Sequence, residues 1–324
     1  MHADDRSDEM PYAGIASYNK APYVPAPSSD DGDVAVLGVP YDGGTSSRSG
    51  ARMGPRALRD ASTNWSFQYA PEPFYDGEAN VNLLGGVRWV DCGDVVLGPS
   101  PSMERYHGAV IDRLQPIVEA ELFPLTLGGD HSVTYPALKA VSHARGGKPF
   151  QLVQFDAHLD YWDEEGGQRF THESSIIRAH EEHLVDGLTQ YGIRGLHTAY
   201  DNIGLARRRG SHIFWCEQAK KTRVEELVEH LERGADTYIT FDVDALDPAI
   251  APGTGTPEPG GFTYYEAKAI LLAVSARCNV IGMDVVEVAP AYDGPSQLTA
   301  LHAVRLILDA VGAVFRRRDE LRMR

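Results

Sequence analysis

The chain has few cysteines and no segment that marks it for export or a membrane. Cys92, Cys216 and Cys278 are odd in number and widely spaced, so they match neither a disulfide framework nor a cysteine metal motif. We interpret them as reduced thiols of a cytoplasmic protein. The first residues, MHADDRSDEM, lack the positive and apolar stretches of a signal peptide. No apolar run is long enough to predict a bilayer span.

Basic residues are scarce relative to acidic ones. The chain has 30 Lys and Arg against 46 Asp and Glu, which gives a formal net charge of -16. Such a surface repels a phosphate backbone, so nucleic acid is not expected as a partner. The same field favours cations, including metal ions and cationic substrates.

Short apolar runs alternate with longer helical patterns along most of the chain. Each run is nearly continuous, which is typical of a strand buried on both faces of a parallel sheet. This alternation predicts a layered α/β domain. The runs are VAVLGV (34–39), LFPLTL (122–127), FQLVQF (150–155), TYITF (237–241) and VIGMDVV (280–286), and the helical stretches are about 103–120, 175–187, 223–233, 264–276 and 296–315.

The pattern predicts one domain preceded by an arm. Residues 1–32 are polar and contain several prolines, which predicts an irregular N-terminal arm. Tyr12, Ile15, Tyr18 and Tyr23 indicate that the arm packs against something, for example a neighbouring subunit. Residues 33–324 show neither a second core nor an internal repeat, so we expect a single domain there.

Acidic and imidazole side chains follow four of the apolar runs. They lie in GGDHS (128–132), DAHLD (156–160) and DVD (242–244), and Glu287 follows the last run. Ligands of open parallel sheets bind at the carboxyl ends of the strands. We therefore expect these segments to meet at one edge of the sheet.

These side chains are suitable metal ligands. If the segments stay extended, alternate residues such as Asp156, His158 and Asp160 point the same way. Neighbouring carboxylates repel one another strongly unless a positive charge lies between them. Two divalent ions about 3.5–4 Å apart provide that charge and lower the pKa of a shared water from about 15.7 toward 7. Each motif alone is also compatible with a turn, a helix cap or a single structural ion, whereas together they predict a dinuclear centre.

Several long motifs resemble those of the ureohydrolases, the family of arginase and agmatinase. The resemblance runs from about Val34 to the C-terminus, and it implies a three-layer α/β/α fold around an eight-stranded, mostly parallel sheet. It also implies a homo-oligomer, trimeric or hexameric. The motifs are GVPYDGGTSSRSGARMGPRALRDAS (38–62), GGDHS (128–132), DAHLD (156–160), TFDVDALDPAIAPGTGTPEPGG (240–261) and GMDVVEVAPAYD (282–293).

The resemblance implies a role for each matching residue. Asp156 and Asp242 would bridge two Mn²⁺ or Ni²⁺ ions, between which the ligand types do not decide. Glu287 would grip a guanidinium group, and Asp160 would accept a proton. His172, in RFTHESS, would shuttle protons near the leaving amine, and the products would be urea and an amine. The implied metal ligands are His131, Asp156, His158, Asp160, Asp242 and Asp244.

Two loops depart from the arginase pattern and favour agmatine over L-arginine. Aromatic Tyr161, Trp162 and Phe170 stand where arginase uses polar residues for its substrate's amino-acid end. We expect Trp162 and Phe170 to wall the substrate site. Glu173 stands where agmatinases typically carry glycine. It is expected to meet a substrate ammonium group, to narrow the pocket, or to point to solvent or pair with Arg178.

Other functions remain open on the sequence. Free guanidine, an N-alkylguanidine or a biguanide is an alternative substrate. A guanidino acid such as guanidinobutyrate is another, because Arg48, Arg52 and Arg56 lie in a loop that could approach the site. A non-catalytic subunit of a mixed oligomer with a paralogue, and a metal-dependent amide hydrolase such as a deacetylase, are different classes. The intact ligand set disfavours the first, and the GGDHS and DVDALDP motifs disfavour the second.

Overall fold

Eight strands form one sheet, in which every described pairing is parallel. The computed structural model describes residues 10–66, 74–196 and 199–323. The sheet order is β2-β1-β3-β8-β7-β4-β5-β6, which confirms the eight-stranded, mostly parallel α/β fold. The strands are β1 Val34–Gly38, β2 Trp89–Asp94, β3 Phe123–Leu127, β4 Phe150–Phe155, β5 Val185–Ile193, β6 Ser211–Trp215, β7 Asp236–Asp242 and β8 Asn279–Val286.

Helices cover both faces of this sheet. The helix α2 packs on α3 and α3 on α4, while on the other face α9 packs between α1 and α8. Their bounds are α1 Gly54–Ser62, α2 Met103–Glu119, α3 Thr134–Ala144, α4 Ser175–Glu181, α5 Tyr200–Arg208, α6 Cys216–Lys221, α7 Val224–Val228, α8 Tyr264–Arg277 and α9 Leu298–Arg322.

Strand β1 shows why the runs are apolar without alternation. Val34 and Val36 belong to the core beneath α9, while Ala35 and Leu37 belong to the core beneath α2. All four residues are fully buried. A strand with helices on both faces needs apolar side chains at every position, and the continuous runs reflect this.

Two expected helices are shorter in the structure. The stretch 223–233 is helical only over Val224–Val228. A helix was expected over 175–187, but α4 ends at Glu181 and β5 begins at Val185. The sequence of β5, VDGLTQYGI, mixes glycine, threonine and glutamine with apolar residues. Buried polar members such as Gln190 obtain hydrogen bonds from neighbouring strands instead of an apolar environment. Hydrophobic periodicity therefore does not reveal this strand.

Part of the N-terminal arm packs on its own domain. Tyr18 is fully buried; its ring stacks on Trp89 with centroids 5.5 Å apart, and its N–H donates to Asp91 Oδ2 at 2.8 Å. Tyr12 and Ile15 are 86% and 85% exposed. The first nine residues of the predicted arm lie outside the described residues.

Helix α9 is the element most like a membrane span by composition. Leu298–Arg322 is long and apolar enough to cross a bilayer, yet 72% of its most apolar window is buried inside the domain. This burial is typical of a core helix, which explains the apolar composition without a membrane.

Candidate active site

The four strands that carry the polar motifs are neighbours in the sheet. They occupy consecutive positions in the order β3-β8-β7-β4. His131, Glu287, Asp242 and Asp156 lie at or just beyond the carboxyl ends of these strands. The topology therefore places side chains from distant parts of the sequence at the centre of one sheet edge.

Three carboxylates converge on the imidazole of His131. Its Nδ1 lies 2.9 Å from Asp156 Oδ2, 2.8 Å from Asp160 Oδ2 and 3.3 Å from Asp242 Oδ2. None of these four residues is more than 5% exposed. A buried group of this composition is a candidate metal site.

A second group shares Asp156 with the first. His158 Nδ1 lies 3.1 Å from Asp244 Oδ2 and 3.5 Å from Asp156 Oδ1. Within each of the groups His131/Asp156/Asp242 and Asp156/His158/Asp244, the ligand atoms lie within 4.8 Å of one another. The two oxygens of Asp156 thus face different groups, as a ligand between two ions requires.

The hydrogen bonds behind His131 direct its free nitrogen toward the carboxylates. Thr240 Oγ1 donates to Asp284 Oδ1 at 2.6 Å and lies 2.9 Å from His131 Nε2. Because that hydroxyl proton is committed, Nε2–H is the donor and Nδ1 carries the lone pair. His131 Nδ1 and Asp160 Oδ2 thus face each other at 2.8 Å as two acceptors, and neither has a hydrogen-bond partner among the described atoms. This donor set fits a divalent cation.

Burial and mutual repulsion disfavour ionisation of two of these carboxylates, Asp160 and Asp242. Burial and the charge of Asp156 raise the pKa of Asp160 to about 7. Burial and the charges of Asp244 and Asp156 raise the pKa of Asp242 well above its usual value. Like charges in a desolvated site disfavour ionisation in this way, and bound cations would reverse the effect.

Turns, rather than extended strands, bring the ligands of each motif together. The expectation that Asp156 and Asp160 converge through strand alternation is wrong, because β4 ends at Phe155 and Asp160 has a φ of 50°. Asp244 lies in a 3-10 turn, and its own backbone N–H donates to Asp242 Oδ1 at 2.8 Å. Glu287 also has a left-handed φ, 64°. Left-handed backbone at non-glycine residues is uncommon and is concentrated at functional sites.

Gly129, the residue before Asp130, lies so close to another backbone segment that only glycine fits. A substitution to alanine tests this requirement. A Cβ at Gly129 would lie 1.7 Å from the carbonyl oxygen of Tyr41, whereas one at Gly108 within α2 would meet nothing within 4 Å. Gly129→Ala should lower the free energy of unfolding by about 3 kcal/mol, since the backbone must move. Gly108→Ala should raise it by about 0.5–1 kcal/mol through helix propensity. Urea denaturation measures both, and an unaltered Gly129→Ala protein would contradict the close approach.

His172 and Glu287 form a buried pair beside the cluster. His172 Nδ1 lies 3.0 Å from Glu287 Oε1, which also accepts the backbone N–H of His131 at 2.9 Å. Glu287 is 2% exposed, and a Cβ built on Gly255, in the cavity wall, would lie 3.8 Å from its Oε2. Burial lowers the pKa of His172, but the hydrogen bond and charge of Glu287 outweigh it and raise the pKa to about 9.

Ser46 is a site residue that the sequence reasoning missed. Its N–H donates to His172 Nε2 at 3.1 Å, its Oγ lies 2.8 Å from the same nitrogen, and its Oγ–H reaches Glu173 Oε1 at 3.0 Å. The available signal was the position of Ser46 in the first long motif, GTSSRSG, which carries no recognisable ligand spacing.

A cavity of about 1120 Å³ opens onto the cluster. Trp162 and Glu173 line it, as expected of substrate contacts. Phe170 does not lie among the residues that line this cavity, so its contact with the substrate stays a prediction. The Phe170 ring packs instead against His107 and Tyr135, with centroids 4.9 Å and 5.5 Å away. Tyr161 is also buried, 1% exposed.

The outer wall of the cavity is mostly acidic. Glu164, Glu165 and Glu258 line it together with Glu173. Arg178, considered as a partner for Glu173, pairs instead with Asp163 and Glu181. Such a wall attracts a cationic group.

Of the loop arginines Arg48, Arg52 and Arg56, Arg48 lines this cavity. Its guanidinium lies 4.4 Å from the ring centroid of Tyr292, and its Nε donates to Gly255 O at 2.9 Å. Arg52 pairs with Asp42, and it lines a separate cavity with Arg56.

Comparisons with known proteins agree with this architecture. The Arginase family model matches residues 32–312. The chain is 34% identical over 310 residues to a guanidinobutyrase of Pseudomonas aeruginosa, covering 94% of each chain. It is 38% identical over 291 residues to an agmatinase of Edwardsiella ictaluri, covering 87% of this chain and 88% of that one. The structure of proclavaminate amidino hydrolase from Streptomyces clavuligerus matches with a TM-score of 0.84 and 32% identity, over 95% of this chain and 99% of that one. The chain therefore belongs to the arginase family and is a ureohydrolase, an enzyme that hydrolyses C–N bonds of linear amidines.

Proposed function

We propose that the protein cleaves the guanidino C–N bond of an agmatine-like substrate to urea and an amine, with two divalent metal ions bound per subunit. The observation that carries this proposal is the pair of His/Asp groups that share Asp156 and open onto the cavity. His131 and Asp160 would complete one site, His158 and Asp244 the other, and Asp156 and Asp242 would serve both. Two such ions supply an activated water at neutral pH and stabilise developing negative charge.

The remaining side chains orient the substrate and move protons. Glu287 Oε2, beside Gly255 in the cavity wall, would hold the planar guanidinium through charge-assisted hydrogen bonds. His172, whose pKa of about 9 keeps it protonated at neutral pH, would donate a proton to the leaving nitrogen. Asp160, whose Oδ2 lies 2.8 Å from His131 Nδ1 in the cluster, would accept a proton from the attacking water.

The cavity wall favours agmatine among guanidino compounds. Agmatine carries an ammonium at the end of its chain, and Glu164, Glu165, Glu173 and Glu258 present carboxylates on the wall. The ring of Trp162 would add a cation–π contact. The resemblance to an agmatinase over most of the chain supports the same substrate.

A guanidino acid is the second candidate, favoured by Arg48. This residue supplies a positive charge in the cavity wall, held in place by its bonds to Gly255 and Thr254. It would pair with the carboxylate of 4-guanidinobutyrate. The resemblance to a guanidinobutyrase supports this reading.

A urea-release panel separates these substrates. The compounds are agmatine, 4-guanidinobutyrate, butylguanidine, guanidine and L-arginine, each assayed with Mn²⁺ and with Ni²⁺. We expect agmatine to have the highest kcat/KM. We expect the kcat/KM of L-arginine to be at least about 100-fold lower, because its α-carboxylate would face the acidic wall. This ratio corresponds to about 3 kcal/mol of lost binding free energy. A preference for 4-guanidinobutyrate would favour the second candidate, and strong arginine turnover would contradict the proposed cavity specificity.

We also propose the cellular and assembly context. The three cysteines are buried and free, which supports a reducing compartment, the cytoplasm. Exposed Tyr12 and Ile15 of the arm support contact between subunits in a homotrimer or homohexamer. Residues 33–324 would form the catalytic domain of each subunit. Light scattering coupled to size-exclusion chromatography measures the assembly.

A further inference from the structure

We propose that Ser46 and Glu173 form a relay that carries protons between the mouth of the cavity and His172. The inference rests on the proposed function, since it assigns a task to the proton of His172. Ser46 and Glu173 act on the reaction only through the proton of His172, so both are positioning residues. The relay also gives Glu173, the departure from the agmatinase pattern, a task in the reaction.

The hydrogen bonds define an unbroken path. The backbone N–H of Ser46 can only donate, so in neutral His172 the Nε2 atom is the acceptor, at 3.1 Å, and Nδ1–H faces Glu287. The hydroxyl of Ser46 lies between Nε2, at 2.8 Å, and Glu173 Oε1, at 3.0 Å. Direct contact is too long, since Nε2 and Oε1 are 3.7 Å apart. Ser46 therefore links the two groups by hydrogen bonds.

The path runs from a buried group to an open one. The side chain of His172 is 6% exposed and that of Glu173 is 21% exposed. A backbone hydrogen bond, from His172 N–H to Gly44 O at 3.0 Å, fixes the loop that carries Ser46 relative to His172. Solvent at the cavity mouth can thus exchange a proton with Glu173 while substrate covers His172.

The proton movements balance. After His172 has given its Nε2 proton to the leaving nitrogen, Ser46 Oγ–H transfers its proton to Nε2. Ser46 Oγ takes the proton of a protonated Glu173 carboxyl, so the serine ends unchanged. Glu173 regains a proton from water at the mouth. The net movement is one proton from solvent to His172, with no other bond made or broken.

The surrounding charges favour a protonated His172 between turnovers. Glu287, whose Oε1 lies 3.0 Å from His172 Nδ1, stabilises that positive charge. At the outer end, Glu165 lines the cavity together with Ser46 and Glu173; burial and the charge of Glu173 raise the pKa of Glu165, while His172 and a hydrogen bond with Ser46 act against this rise.

Kinetics test the relay most directly. With the metal-loaded enzyme, Ser46→Ala and Glu173→Gln should each lower kcat by roughly 10- to 100-fold, with KM for uncharged-tail butylguanidine changed less than about threefold. Ser46→Thr retains the hydroxyl and should recover most of the kcat. Added imidazole buffer should raise kcat of Glu173→Gln, because a small acid can replace the outer donor. Ser49→Ala, an exposed serine in the same loop, is the control.

A loss of activity that neither Ser46→Thr nor imidazole reverses, or a kcat within about twofold of wild type in both relay variants, would overturn the proposal. If agmatine and butylguanidine are not substrates, the same variants are assayed on whichever panel compound releases urea.

If no panel compound reacts, the proposed function fails and the relay is judged by histidine hydrogen–deuterium exchange mass spectrometry. Glu173→Gln should then lower the pH at the midpoint of His172 exchange, because it removes a negative charge 3.7 Å from Nε2. An unshifted midpoint would show that the two groups are uncoupled.

Discussion

Replacing Asp156 by Asn is expected to release both metal ions and to lower kcat/KM by at least about 10³-fold, because the activated water is lost. Asp156 is the residue whose two oxygens face both His131 and His158. Asn has nearly the same shape, but it lacks the charge that offsets two cations. Metal analysis of the purified protein and urea release measure the two effects.

The matched control is Asp186→Asn, which removes an exposed carboxylate near the start of β5, at the opposite edge of the sheet. It should retain two ions per subunit and wild-type turnover. Circular dichroism should show that Asp156→Asn folds. Retention of both ions by a folded Asp156→Asn protein would exclude Asp156 as a ligand shared between them.

Replacing Glu287 by Gln is expected to lower kcat/KM by roughly 10²- to 10⁴-fold while leaving both metal ions bound. Two effects combine. The guanidinium loses a charge-assisted partner, and the imidazole of His172 loses the carboxylate 3.0 Å from its Nδ1.

The pH profile of Glu287→Gln has a defined direction. Burial lowers the pKa of His172, and Glu287 raises it to about 9. Without that negative charge the pKa falls, so protonated His172 is lost at lower pH. The alkaline limb of kcat should therefore move toward neutral pH. Glu217→Gln, which removes an exposed carboxylate, should leave the profile unchanged, and an unmoved limb in Glu287→Gln would contradict the coupling.

Five strands could be predicted from the sequence because they are apolar throughout. The five runs became β1, β3, β4, β7 and β8, each within one residue at either end. Strand β2, WVDCGD, carries Asp91, which is committed to Arg59 and the N–H of Tyr18. Buried polar residues with such partners leave no apolar signal. The edge strand β6, SHIFW, is only partly buried, so it also lacks a continuous apolar run.

Most of the candidate site could also be predicted. The ligand types and their positions after apolar runs pointed to a dinuclear centre, and His131, Asp156, His158, Asp242 and Asp244 do come together. The exceptions concern side chains whose direction depends on packing. Phe170 packs against His107 and does not line the cavity.

The sequence by itself determined which strands are buried on both faces and which candidate metal ligands follow them, since both depend on local patterns. Only the tertiary structure decided that β3, β8, β7 and β4 are neighbours, and that Ser46 meets a histidine 126 positions away. Strand order and such distant contacts depend on how whole helices and strands pack. Local periodicity carries no information about that packing.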